Sequence, residues 1–184
     1  MKKTQKDKNR WTLYVGIFAM LIIIVGVFSE PSSILQKTLF LLGSATLAAV
    51  AFLNRQRMLF ALQIVIGVGS VLAFLELTGT IKYAVLAVAS VLAIGYLIAI
   101  RNYKADPWSI VCTLGLILIA VGYVTDAGAA PLMFGVSLGL GGLLVALYSA
   151  IDLVYNKSEI SAIWMVLNLI FAINPILMVS AQLG

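Results

Sequence analysis

Residues 35–77 read LQKTLFLLGSATLAAVAFL, then NRQR, then MLFALQIVIGVGSVLAFLEL. Two continuously apolar runs, Leu35–Leu53 and Met58–Leu77, are separated by only Asn54–Arg57. Each run approaches the roughly 20 apolar residues a helix needs to cross the hydrocarbon core of a bilayer. Barrel strands would alternate polar and apolar residues, which these runs do not. The connection is about one helical turn long, so the two helices are predicted to be antiparallel neighbours.

The same pattern extends outward. Further apolar runs occupy Trp11–Phe28, Tyr83–Ile100, Trp108–Thr125, Leu132–Asp152 and Ala162–Gln182. Apolar residues make up 62% of the chain and its mean hydropathy is +1.11, too apolar for a soluble domain to cover its surface with polar groups. The expectation is an all-α polytopic membrane protein with seven transmembrane helices. A basic cytoplasmic tail would occupy residues 1–10 and a single bundle residues 11–184, with no loop long enough for a soluble domain.

Charge orients the bundle. Lys2, Lys3, Lys6, Lys8 and Arg10 precede the first run. Counting alternate gaps, the same side receives Arg55 and Arg57, then Arg101 and Lys104, then Lys157. The other side receives only Lys37 and Lys82. Cytoplasmic loops are enriched in Lys and Arg, so the N-terminus is predicted inside and the C-terminus outside. The net charge of +5 comes largely from the tail. It is read as topology and attraction to anionic headgroups, with the lipid bilayer and not nucleic acid as partner. The first apolar stretch is long and no small-x-small cleavage pattern follows it, so the tail is expected to stay attached. Short loops and missing targeting signals suit a prokaryotic inner membrane.

Several chemistries lose their residues. Histidine is absent, and Cys112 is alone within an apolar run, where it reads as a small buried residue. No metal or cofactor site is expected. Glu76 and Asp152 fall at run ends, so no central carboxylate supports a proton pump or a catalytic pair. The expectation is a protein that is not an enzyme.

Uncharged polar residues remain. Gln63, Gly67, Ser70 and Phe74 share one helical face through spacings of four, three and four. Trp164 and Asn168 lie one turn apart in the last run, followed by Asn174 and Pro175, where the proline is predicted to kink the helix. Two readings of this set stay open. Gln63 and Asn168 are interhelical hydrogen-bond glue, or Gln63, Ser70, Trp164, Asn168 and Asn174 line a substrate cavity near the midplane. Tyr96 or Tyr148 would add stacking surface to such a cavity.

The sixth run carries a stripe of small residues, Gly135, Gly139, Gly142, Ala146 and Ser149, which permits close helix packing. Its partner is a helix of the same chain by default, or a second copy in a homodimer.

The halves of the chain also compare. WTLYVGIFAMLIIIVGVFSE from Trp11 parallels WSIVCTLGLILIAVGYVTDA from Trp108, and an alignment of the third and seventh runs sets Gln63 against Asn168. Three helices would repeat, in the same orientation, after a linker helix. This plan resembles, in helix count and arrangement, that of SWEET-type sugar facilitators and Pnu-type nicotinamide riboside transporters. The sugar facilitators' proline–glutamine signature is missing, since Pro31 and Pro131 sit at run edges without an adjacent glutamine. Trp164 and Asn168 resemble the aromatic and asparagine near the Pnu vitamin site, although the surrounding pattern departs from it. No site residue is carried over. The leading expectation is a carrier or facilitator for a neutral or weakly polar small solute. The alternative is a non-catalytic membrane subunit or scaffold that packs against a partner chain.

Overall fold

A computed structural model describes the backbone of residues 2–100, 106–156 and 159–183, and their side chains except those of 2–9, 156, 159–160, 174, 178–179 and 181–183. Among the described residues the chain is all-α, with seven helices and no strand: α1 Lys2–Val27, α2 Ile34–Leu53, α3 Arg57–Leu72, α4 Gly79–Ala99, α5 Pro107–Val124, α6 Pro131–Asn156 and α7 Glu159–Leu183. Five of these helices are long and apolar enough to cross a membrane: α1, α2, α4, α5 and α6. Their outward surfaces are apolar, with Phe18, Ile34, Val91 and Leu92 each more than three-fifths exposed. An apolar belt of that extent fits lipid, not water.

Two boundaries differ from the sequence reading. Helix α1 begins ahead of the first apolar run and takes in the basic residues from Lys2. Lysine, glutamine and arginine are good helix formers, so nothing local stops the helix there. The third run, predicted to span Met58–Leu77, is helical only over Arg57–Leu72. Its 16 residues reach about 24 Å, short of a ~30 Å hydrocarbon core. Residues 73–78 form a connection with Glu76 exposed, and Thr78, in extended conformation, caps α4. Phe74 N and Leu75 N bond to carbonyls three residues back, so the helix tightens and ends before Glu76 although its neighbours are apolar. Phe74 therefore leaves the face it was assigned to share with Gln63.

Local chemistry sets the other ends. Ser33 accepts a hydrogen bond from Gln36 N at the start of α2. Asp106 accepts from Trp108 N and Ser109 N, with Pro107 in the first turn of α5, where a missing N–H costs nothing. The α2–α3 turn closes through Arg55 in the left-handed region, φ 59°, with Gln56 N donating to Ala51 O at 2.9 Å. Thr12 hydrogen-bonds Asn54 at this turn, tying it to α1.

Six helices form a closed cycle of neighbours: α1 on α2, α2 on α3, α3 on α5, α5 on α6, α6 on α7 and α7 on α1. Around this cycle the helices follow chain order, with α4 left out. Helix α4 stands outside, against α3 and less extensively α5, and buries only Leu86, Ser90 and Leu97. Tyr83 Oη lies 3.1 Å from Thr125 Oγ1 and anchors α4 to the end of α5.

In lipid, helices gain little from excluding water and associate by close van der Waals fit. Glycine supplies that fit on α6. A Cβ on Gly141 would stand 2.8 Å from Gly115 O of α5, and one on Gly142 would stand 2.7 Å from Asn168 O of α7. The five residues of the small-residue stripe are all buried, and Gly139 and Gly142 face α7. The stripe is therefore occupied within the chain.

The two ends of the bundle carry different charge. Arg10, Arg55 and Arg57 are exposed at the near end, with the 54–56 turn. Lys37 and Lys82 are half-buried at the far end, with the 28–33, 73–78 and 125–130 connections. Arg101, Lys104 and Lys157, and the side chains of Lys2, Lys3, Lys6 and Lys8, lie outside the described residues.

Candidate functional site

A small cavity lies within the bundle, walled by α1, α2, α3, α5 and α7. Gln63, Trp164 and Asn168 line it together, joined by Ser44, Tyr123 and Phe171. Its walls are otherwise Ile and Leu. Helical spacing explains who arrives. On α7, Trp164, Asn168 and Phe171 share a face through steps of four and three, and Phe40, Ser44 and Leu47 do so on α2.

The polar groups at this cavity are deeply buried and incompletely satisfied. Gln63 is 3% exposed, Trp164 2% and Ser44 1%. Neither Gln63 Oε1 nor Trp164 Nε1 has a hydrogen-bond partner among the described residues. Ser44 Oγ makes no well-formed bond either, the Tyr123 hydroxyl being its candidate partner. Asn168 Nδ2 donates to Trp164 O, one turn back in its own helix, at 2.7 Å. That bond is intrahelical, so Asn168 does not act as glue between helices through it. An unsatisfied buried group costs about 1–3 kcal/mol. The cavity measures about 20 Å³, counted as space open to a water's centre, enough to hold at least one water.

A second, larger cavity of about 80 Å³ opens at the far end of the bundle. This vestibule is lined by Lys37 of α2, Lys82 of α4 and Asp126 after α5, with Ser32, Gln36 and Thr125. Its rim is tied across the molecule. Ala127 N donates to Ser32 Oγ at 3.0 Å, joining the α1–α2 and α5–α6 connections. Ser32 holds a left-handed backbone, φ 61°, and its N–H donates to Gln36 Oε1. Such conformations cost about 1–3 kcal/mol and gather where function needs them.

Aromatic rings separate the two spaces. Phe40 stacks on Tyr123 with centroids 4.5 Å apart and planes within 10°. Phe171 packs against both, at 5.5 and 6.0 Å. Tyr123 lines the vestibule and the buried cavity alike.

The remaining expected site residues fall elsewhere. Ser70 is buried but lines the vestibule, seven residues and about 10 Å along α3 from Gln63, and donates to Ile66 O. Gly67 is half-buried with open space where a Cβ would stand. Tyr96 is 50% exposed on α4 and Tyr148 packs at the edge of the core, so neither walls the cavity. Helix α7 continues through Pro175, which is buried beside Phe40 and Phe171. The side chain of Asn174 lies outside the described residues. Cys112 is fully buried in α5.

Ser44, Tyr123, Phe40 and Phe171 are the site residues that sequence reasoning missed. Phe171 was within reach, since it continues the Trp164–Asn168 spacing. Ser44 and Tyr123 sit on helices apolar all round, where no polar face marks the inward side.

Outside the membrane-crossing helices, Asp106 has its carboxyl held below the ordinary 3.8, chiefly by the Ser109 backbone N–H and then the Ser109 hydroxyl. Its role is capping, remote from the cavity.

Comparison with protein-family models, curated proteins and solved structures finds no match for this chain.

Proposed function

We propose that the chain is a small integral membrane carrier or facilitator for a neutral or weakly polar small solute. One observation carries this reading. Gln63 Oε1 and Trp164 Nε1, an acceptor and a donor on two residues that line one cavity, both lack a hydrogen-bond partner among the described residues. A purely structural interior would pair such groups or replace them with apolar ones, since each orphan costs about 1–3 kcal/mol. A polar guest relieves both at once. The wall offers no charged partner, so a net charge would enter at high cost. A vestibule ahead of the cavity and an aromatic partition between them fit a route entered from one side.

In this reading the helices form two related triplets with α4 as linker. The near end faces the cytoplasm of a prokaryotic inner membrane, and no catalytic step is involved. The presence of Gln63 and Asn168, which the two-triplet alignment sets against each other, at one cavity supports that arrangement.

Thermal unfolding of the detergent-purified chain against metabolites, vitamins and sugars tests it. A ligand that binds only the folded state stabilises by about 2.7 kcal/mol at one hundred times its dissociation constant. The expected result is a specific hit that is lost in both Gln63→Leu and Asn168→Ala. A hit that survives both substitutions would remove this cavity as the binding site.

The second reading is a non-catalytic subunit, and α4 favours it. That helix buries three residues and leaves Val88, Val91, Leu92 and Ile98 exposed along its length. A second copy or another membrane chain would dock there and not on the occupied α6 stripe. A partner that copurifies in fixed ratio, with no solute response, would favour this reading.

A further inference from the structure

The cavity's size and its three incompletely satisfied polar atoms narrow the solute further, given the carrier reading. Counted as space open to a water's centre, about 20 Å³ holds at least one water and suits a molecule of about three or four heavy atoms. A hexose or a nucleoside does not fit. Gln63 Oε1 asks for a donor, Trp164 Nε1 for an acceptor, and Ser44 Oγ takes either. A guest that answers all three carries N–H or O–H donors beside a carbonyl-type acceptor. Ammonium and carboxylate ions meet no counter-charge in the wall. The geometry points to a compact, uncharged amide or urea-like solute, with Tyr123 setting the size limit from the far side.

Tyr123 has that role because it alone lines both spaces. Its ring packs in a triangle with Phe40 and Phe171, so it closes the roof of the cavity as part of a packed layer. Trp164 is the polarity-selecting residue. Its indole N–H is buried and unpaired, and its ring packs into the core around the cavity.

The test is osmotic. The full chain is reconstituted in phospholipid vesicles, and equilibration of formamide, urea, glycine and glucose is followed by light scattering against protein-free vesicles. Formamide and urea are expected to equilibrate faster than in the control, and glycine and glucose at the control rate. Trp164→Phe removes the donor and keeps a ring, and should slow urea about tenfold, the size of one buried hydrogen bond. Tyr123→Ala should admit glucose, and its circular dichroism and thermal transition report whether it still folds. If that variant unfolds, the milder Phe40→Leu, which removes the stacking partner, serves in its place. Urea and formamide at the control rate while glucose is moved or bound would overturn the size class and leave the carrier reading standing. Passage of water alone would overturn the amide assignment. No panel member moved or bound, here or in the thermal screen, would bring down the carrier reading and this inference with it.

Discussion

The vestibule and the cavity lie on either side of the Tyr123 ring, yet they handle polarity in opposite ways. In the vestibule, Lys37, Lys82 and Asp126 stand among hydroxyls and an amide, around a space of about 80 Å³. One ring deeper, in about 20 Å³, the polar groups are an amide oxygen, an indole N–H and a hydroxyl, each more than nine-tenths buried. Solvent reach decides the difference. Where water can enter, full charge costs little. Where there is room for little more than a water or two, neutral groups cost far less than charges.

Substitutions can sharpen or break this contrast. The largest effect is expected behind the cavity. Gly142→Val places a side chain against Asn168 O, 2.7 Å from where its Cβ would stand, and should destabilise by about 3 kcal/mol in thermal denaturation. An unchanged transition would mean that α6 does not press on the site helix.

Gln63→Leu should do the reverse within the cavity. Removing a buried, unpaired amide oxygen should raise stability by about 1–2 kcal/mol while abolishing solute binding. A loss of stability would show that Gln63 is paired in the resting protein and would weaken the contrast.

Asp106→Ala serves as a control remote from both spaces. Loss of the α5 cap should cost about 1 kcal/mol at neutral pH, read in the same denaturation experiment. The folded carboxyl titrates below its ordinary 3.8, so its contribution is complete above that value and fades as pH falls through the lower folded value. The gap between parent and variant should therefore close in acid. A gap constant to pH 2 would refute the charge-assisted cap.

The smallest effect belongs to the vestibule. Lys37→Met and Lys82→Met should each change stability by less than about 0.5 kcal/mol, as substitutions of water-reachable charges do. A cost of several kcal/mol would show that these lysines are structural.

The contrast also explains what could be read in the sequence. Helical character and the neighbour relation of α2 and α3 follow from two apolar runs joined by four residues. Gln63, Trp164 and Asn168 stood out because amide and indole groups are rare amid apolar residues. The missing half of the site came from α2 and α5. Those helices are apolar on every side, so composition cannot show which side turns inward. The end of α3 was illegible for a related reason: Ala73–Leu75 are apolar whether they lie in a helix or a turn. Lys37 and Lys82 were read only as markers of sidedness, because nothing local reveals that α2 and α4 bring them to one cleft.

The Ser32–Ala127 contact has a mechanical consequence. Across the far rim, the α1–α2 and α5–α6 connections share a single described hydrogen bond, made by a residue already in a strained backbone. One such bond contributes about 1 kcal/mol, which shifts an open–closed balance only about fivefold. Relaxation of Ser32 on release offsets part even of that. The far rim is thus only weakly latched by this bond.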